Sequence, residues 1–149
     1  MADAVTIQLT GFKELASALR ELPQKVARNA LRAAVNAGAS EIKKQVRANA
    51  PKDTGLLKKN IYQKQIRETS GPYQQTFAVG VRQGRARNKD GSKKELPFYW
   101  RFMEFGTSKL PAAPFLRPAF EAKKEDAVKR IAEKLDERIQ KYAVELARK

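Results

Sequence analysis

The sequence contains no cysteine and no histidine among its 149 residues. Without cysteine, the chain has no disulfide, no thiolate nucleophile, no iron–sulfur cluster and no cysteine-ligated zinc. Without histidine, it has no Ser–His pair, no imidazole metal ligand and no side chain whose ordinary pKa lies near neutrality. These absences exclude most hydrolase and metalloenzyme designs. We therefore expect no catalytic site, no cofactor and no bound metal.

Long hydrophobic stretches are also missing from the chain. No apolar run approaches the 18 residues of a membrane span, and the N-terminal residues do not resemble a signal peptide. The sequence thus predicts a soluble protein made in the cytoplasm, with no membrane partner. The length suits a single domain over residues 1–149, and a hydrophobic fraction of 42% is sufficient for a packed core.

Acidic residues are scarce relative to basic ones. The chain has 31 Lys or Arg against 16 Asp or Glu, which gives a formal net charge of +15. Such an excess repels itself within a compact monomer and attracts polyanions or acidic protein surfaces. Much of it is local, with +7 over residues 23–60 and +4 over residues 82–95. Nucleic acid and an acidic protein are both candidate partners on this ground.

The hydrophobic periodicity predicts an α+β fold in which a small antiparallel sheet is packed by two long amphipathic helices. The long helix after Pro23 has an apolar stripe rich in Ala and Gly, so we expect another element to approach its backbone closely. The same small-residue face is a candidate for subunit contact. The predicted elements are a strand at 5–9, helices at 12–21 and 23–49, hairpin strands at 60–68 and 73–81, and a C-terminal helix at 118–147.

A long basic loop follows the predicted hairpin, at residues 82–97. Loops of this length in compact domains are usually functional or disordered. The loop contains no aromatic side chain, so the stacking platform of single-strand binders is missing there, and the chain has no helix-turn-helix or zinc-finger pattern. The alternative is that the loop is a mobile hairpin tip that binds no partner. The candidate contacts to an acidic partner or DNA are Arg82, Arg85, Arg87, Lys89, Lys93 and Lys94.

Residues 98–105 (F-Y-W-R-F-M-E-F) are dense in aromatic side chains and are compatible with a strand or a short helix. Rings that the core does not bury would form an exposed patch, which usually marks protein association. For Glu104, we expect an ion pair with a nearby arginine. The candidate subunit-interface residues are Tyr99, Trp100, Phe102, Phe105, Gly106, Thr107, Phe115 and Leu116.

The triplet Asp53-Thr54-Gly55 matches the short signature of aspartic proteases. In those enzymes the aspartate follows apolar strand residues, whereas here Ala50-Pro51-Lys52 precedes it. The simpler interpretation is that Asp53 or Thr54 caps a short helical turn.

Two segments resemble a family of morphogenesis proteins from long-tailed bacteriophages, which includes minor tail components, tail-completion proteins and head–tail joining proteins. Residues 50–57 are similar to the family's A-P-x-D-T-G-x-L stretch. Residues 104–120 are similar to its longer signature, E-F-G-T-S-x-x-P-A-x-P-F-L-R-P-A-F. The resemblance extends over nearly the whole chain, and its second motif is the more specific.

The resemblance implies a structural role in the virion neck, where the tail top meets the filled capsid. It implies a hexameric ring that contacts other neck and tail proteins and packaged DNA in passing. A tail terminator or a head-side adaptor is the nearest alternative. The second functional class, which rests on the net positive charge, is a non-specific nucleic-acid-binding protein. An enzyme that relies on carboxylates is third, because the 16 acidic residues are scattered.

Overall fold

The computed structural model describes residues 12–52, 55–85 and 87–148, and over these ranges it confirms the α+β class. Two of the helices are long, and two strands form one antiparallel sheet. The strand predicted at 5–9 lies outside the described residues. The elements are α1 (Phe12–Glu21), α2 (Gln24–Asn49), α3 (Leu56–Lys59), β1 (Ile61–Gln65), a 3-10 turn (Arg67–Thr69), β2 (Phe77–Val81), α4 (Trp100–Phe105) and α5 (Leu116–Ala147).

The described residues group into two compact units. The first comprises residues 12–38, 65–76 and 125–148. Its core is built largely from small side chains of α2, namely Ala27, Ala30 and Ala34, which pack with Leu19 and Leu135. Small side chains allow helix backbones to approach closely, as the alanine- and glycine-rich stripe predicted.

Gly38 marks the closest approach in this unit. A Cβ atom at that position would lie 2.5 Å from Ile131 Cγ1 and 2.9 Å from the carbonyl oxygen of Ala127, both on α5. The expectation of a close neighbour for the stripe is therefore confirmed. The expectation that the same face serves subunit contact is wrong, because residues such as Ala27, Ala34 and Gly38 are buried within the unit.

The second unit comprises residues 39–64 and 77–124. The sheet and α3 supply Leu57, Ile61 and Val81 to its core, where they pack with Val46 and Phe115. The strands are shorter than the sequence predicts. At the far end of β1, the Ile66 N–H still donates to the Thr76 carbonyl at 2.8 Å, after which the chain turns into the 3-10 segment.

The ambiguous segment at 98–105 forms a short helix, α4, which begins at Trp100. Its first turn is closed by a hydrogen bond from the Met103 N–H to the Tyr99 carbonyl at 3.3 Å. The C-terminal helix begins at Leu116, two residues before the predicted start at Pro118. Within the described ranges, no helix is long and apolar enough to cross a membrane.

Candidate functional site

Glu104, near the end of α4, is buried with 1% of its surface exposed. Its Oε2 accepts hydrogen bonds from the backbone N–H groups of Phe115 at 2.8 Å and Leu116 at 3.0 Å. Its Oε1 accepts from the N–H of Arg117 at 3.0 Å. The first N–H groups of a helix have no partner inside the helix and form its positive pole. Glu104 is thus a distant N-terminal cap for α5.

Arg117 completes this arrangement from the other side. Its Nε lies 3.4 Å from Glu104 Oε1, and its Nη2 donates to the backbone carbonyl of Glu104 at 3.2 Å. The guanidinium also stacks on Phe105, 5.0 Å from the ring centroid. The predicted ion pair of Glu104 with an arginine is therefore confirmed. We call Glu104, Arg117 and the backbone of residues 115–117 the clasp.

The clasp changes the acidity of the Glu104 carboxyl. Burial alone raises the pKa of Glu104, because it disfavours the charged form. The N–H donors of Leu116, Phe115 and Arg117, with the Arg117 side chain, outweigh burial and hold the pKa below its ordinary value. The carboxylate is consequently a stable anion in a structural role and is poorly suited to donate a proton near neutral pH.

Between the two halves of the clasp, Gly106 and Thr107 begin a tight turn. Gly106 has a φ of +73°, and a Cβ atom there would lie 2.8 Å from the backbone nitrogen of Ala112. Both facts require glycine. Thr107 Oγ1 accepts a hydrogen bond from the Leu110 N–H at 3.0 Å. The structure thus gives these two candidate interface residues local roles in shaping the turn.

The candidate aromatic residues divide into core-facing and exposed groups. Trp100 is half-buried and packs against the core of the second unit, and Tyr99 is half-buried. Phe102 and Phe105 are 51% and 63% exposed on α4, and Phe98, just before that helix, is 80% exposed. The sequence pattern of residues 98–105 did not distinguish these two groups.

Phe115 and Leu116, the other two candidates, belong to the interior. Phe115 is 1% exposed and is among the largest buried side chains of the described residues. Leu116 is half-buried and packs against the same core. Both side chains support the fold directly. Of the eight candidate interface residues, Phe102, Phe105 and Thr107 are exposed, and Phe98 adds a further exposed ring beside them.

Four of the six basic candidates surround one hollow. Arg85, Arg87, Lys93 and Lys94, with Gly84, line a space of about 440 Å³ that no acidic side chain lines. Arg82 and Lys89 are exposed, but they do not line it. We call this feature the basic hollow.

A small hairpin divides the predicted long loop and shapes the hollow. Arg87 and Lys93 form an antiparallel bridge. The turn between them is closed by a hydrogen bond from the Asn88 N–H to the Ser92 carbonyl at 2.9 Å. Asp90 Oδ1 accepts from the Ser92 N–H at 2.8 Å and from its hydroxyl at 2.6 Å. These hydrogen bonds lower the pKa of Asp90.

We next consider whether acidic side chains of the described residues form a metal-binding or catalytic group. No group of three or more Asp or Glu there could hold a metal ion. The buried carboxylate of Glu104 is fully engaged by the clasp. Asp53 and Thr54 lie outside the described residues, so their predicted capping of a helical turn stays a prediction.

A comparison with protein-family models decides the family. The model of the HK97-gp10-like family, described as "Bacteriophage HK97-gp10, putative tail-component", matches residues 13–106, well over half of the chain. The chain belongs to this family. The resemblance seen in the sequence is therefore confirmed. The curated proteins and the solved structures compared with the chain include no significant match.

The HK97-gp10-like match contains both candidate surfaces. It includes the basic hollow, the exposed phenylalanines of residues 98–105, and the Glu104 and Gly106 parts of the clasp. Residues 115–117 lie beyond the matched range. Sequence reasoning did not foresee that Glu104 caps α5, although both partners stand in the signature at residues 104–120. The sequence did contain a signal for this cap. The motif holds an acidic residue, Glu104, and the start of a helix, near Leu116.

Proposed function

We propose that the chain is a structural protein of the phage neck, which completes the top of the tail and joins it to the capsid as a hexameric ring. Membership of the HK97-gp10-like family of phage tail components carries this proposal. The neck position and the ring go beyond the family description, and they are supported by the surfaces described above. The role is structural rather than enzymatic, and it places the protein in the virion.

The exposed phenylalanines are the feature best suited to subunit contact. Phe98, Phe102 and Phe105 expose half or more of their surface within eight residues. Exposed apolar surface of this kind usually marks protein association, and aromatic side chains contribute strongly to interface energies. The residues that follow are anchored, because the clasp ties the end of α4 to the start of α5. A rigid support lowers the entropy lost on association.

A ring requires a heterologous interface, in which one patch meets a different patch on the next copy. We assign the exposed phenylalanines to one side of that contact. Tail terminator and head-side adaptor are the nearest alternatives. They differ from tail completion in the position of the protein along the particle axis and in its copy number.

The first experiment tests the phenylalanine surface in a phage that carries the variant gene. We expect Phe102→Asp to lower the yield of joined virions by at least about tenfold, since a charge buried at an interface core is costly. Electron microscopy should then show filled capsids and tails that are not joined. The purified variant should keep its helical circular dichroism, because Phe102 is exposed.

Val144→Asp is the matched control, since Val144 is 52% exposed on α5 and lies outside residues 98–105. Its virion yield should stay near the parental level. Joining by Phe102→Asp at parental efficiency would refute the interface assignment. Reconstruction of the neck should show about six copies at the tail top, and density at another position would replace tail completion with one of the alternatives.

A further inference from the structure

The basic hollow gathers like charges without neutralising them. Two arginines and two lysines line it, together with Gly84. Within the described ranges, none of these four side chains forms an ion pair with a carboxylate. Like charges held around one space repel each other, and a bound anion would relieve that repulsion.

The acidic residue within the hairpin turn, Asp90, is already engaged. Asp90 stands between the two halves of the lining, and its carboxylate accepts both the N–H and the hydroxyl of Ser92. The negative charge therefore holds the turn closed. The remaining acid of residues 82–95, Glu95, does not line the hollow.

Main-chain and side-chain hydrogen bonds support the hairpin that carries the hollow. The bridge between Arg87 and Lys93 brings the two sides of the hairpin together, and Arg87 Nη1 donates to the Gly91 carbonyl at 3.3 Å. Gln83, next to Gly84 in the chain, accepts a hydrogen bond from Arg101 of α4 at 2.8 Å. The cations are thus presented on a supported hairpin, which reduces the ordering needed on binding.

We propose that the basic hollow binds the phosphate backbone of duplex DNA. A carboxylate side chain offers one charge, whereas a duplex presents one charge about every 1.7 Å along its axis. Successive phosphates can therefore meet several of the four cations at once. Arginine pairs well with phosphate oxygens through two parallel N–H groups. The absence of aromatic side chains in residues 82–95 leaves no platform for base stacking, so binding is independent of sequence.

This inference does not depend on the neck assignment, because binding is measured with the purified protein. The probe is a short DNA duplex of mixed sequence, titrated at several NaCl concentrations. The test variant is Arg85→Ser with Lys94→Ser, which removes two lining charges and leaves the bridged residues unchanged. We expect affinity to fall by about tenfold or more, and the slope of log affinity against log salt to become shallower by about two.

The matched control is Arg82→Ser with Lys89→Ser, which removes the same charge from the same loop outside the hollow. It should weaken binding much less than the test variant. Equal losses in the two variants, or no loss in either, would overturn the proposal, because net charge rather than a site would then govern binding. Displacement of DNA by poly-glutamate at equal charge concentration would also overturn it, in favour of an acidic protein. A melting temperature no lower than that of the parental protein would exclude unfolding of either variant.

Discussion

At the scale of single residues, the clasp gives Glu104 and Arg117 a physical role in holding the start of α5. Glu104 offers two buried oxygens to three backbone N–H groups at the start of α5, and Arg117 balances its charge. Hydrogen bonds to a buried carboxylate are stronger than neutral ones, at about 1.5–3 kcal/mol each. The buried carboxylate of Glu104 therefore stabilises the fold.

Substitution of Glu104 should lower the free energy of unfolding. We expect a loss of about 3 kcal/mol for Glu104→Ala, because three backbone N–H groups at the start of α5 lose their acceptor. For Glu104→Gln we expect about 1–2 kcal/mol, because the amide oxygen still accepts. Urea unfolding at neutral pH measures both. Glu121→Gln on α5 is the control, since its ion pair with Lys124 is exposed and should contribute under about 1 kcal/mol.

The lowered pKa of Glu104 predicts that the free energy of unfolding depends on pH. The pKa of Glu104 is lower in the folded state than in the unfolded chain, so its ionisation stabilises the fold above the unfolded pKa of about 4.3. That contribution is lost as the pH falls through the folded pKa. The stability gap between the parental protein and Glu104→Gln should therefore be constant from pH 7 to about pH 5.5 and narrow at more acidic pH. A gap that widens on acidification would contradict the clasp.

At the scale of elements, amphipathic periodicity predicted the helices well. The stripe of α2 matches the observed burial at Ala27, Ala34, Gly38 and Val46, because helix register is a local property. The predicted strand ends were less accurate than the predicted helix ends. The length over which β1 pairs with β2 depends on where the turn between them begins, and the hydrophobic pattern did not show that position. The capping of α5 by Glu104 was not predicted, because it joins residues 11–13 positions apart across a turn. The basic hollow was likewise invisible, since which cations converge depends on the bridge at Arg87 and Lys93.

The contact between α2 and α5 gives a prediction at this scale. In an isolated helix, Gly38→Ala would stabilise by about 1 kcal/mol through helix propensity. Here the added methyl group would overlap Ile131 and the Ala127 carbonyl oxygen. Overpacking costs about 1–3 kcal/mol, which offsets or exceeds the gain in helix propensity, so we expect a net loss of up to about 2 kcal/mol in thermal or urea unfolding.

Combining Gly38→Ala with Ile131→Ala provides the control. If the steric conflict causes the loss, part of it should disappear in the Ile131→Ala background, with a coupling of about 1 kcal/mol. An increase in stability for Gly38→Ala alone would mean that the two helices separate easily at this point.

At the scale of the whole molecule, the net charge of +15 bears on stability as well as on binding. In the described part of the chain, ion pairs such as that of Lys134 with Glu137 join residues three positions apart. Pairs of this kind contribute about 0.2–0.5 kcal/mol each and weaken in salt. The unbalanced cations repel one another over a longer range. The two effects respond to salt in opposite directions, so a salt titration shows which is larger.

We expect repulsion to dominate, because basic residues outnumber acidic ones by nearly two to one. Raising NaCl from about 10 mM to about 200 mM shortens the screening length from about 30 Å to under 10 Å, which weakens repulsion between distant cations more than attraction within contact pairs. The melting temperature should therefore rise by about 3–6 °C. The Arg85→Ser and Lys94→Ser double variant should show a smaller rise, since two mutually repelling charges are removed. A melting temperature that falls with NaCl would mean that the helical ion pairs outweigh the repulsion, and that the excess charge is spaced widely enough for the monomer to tolerate it without an anionic partner.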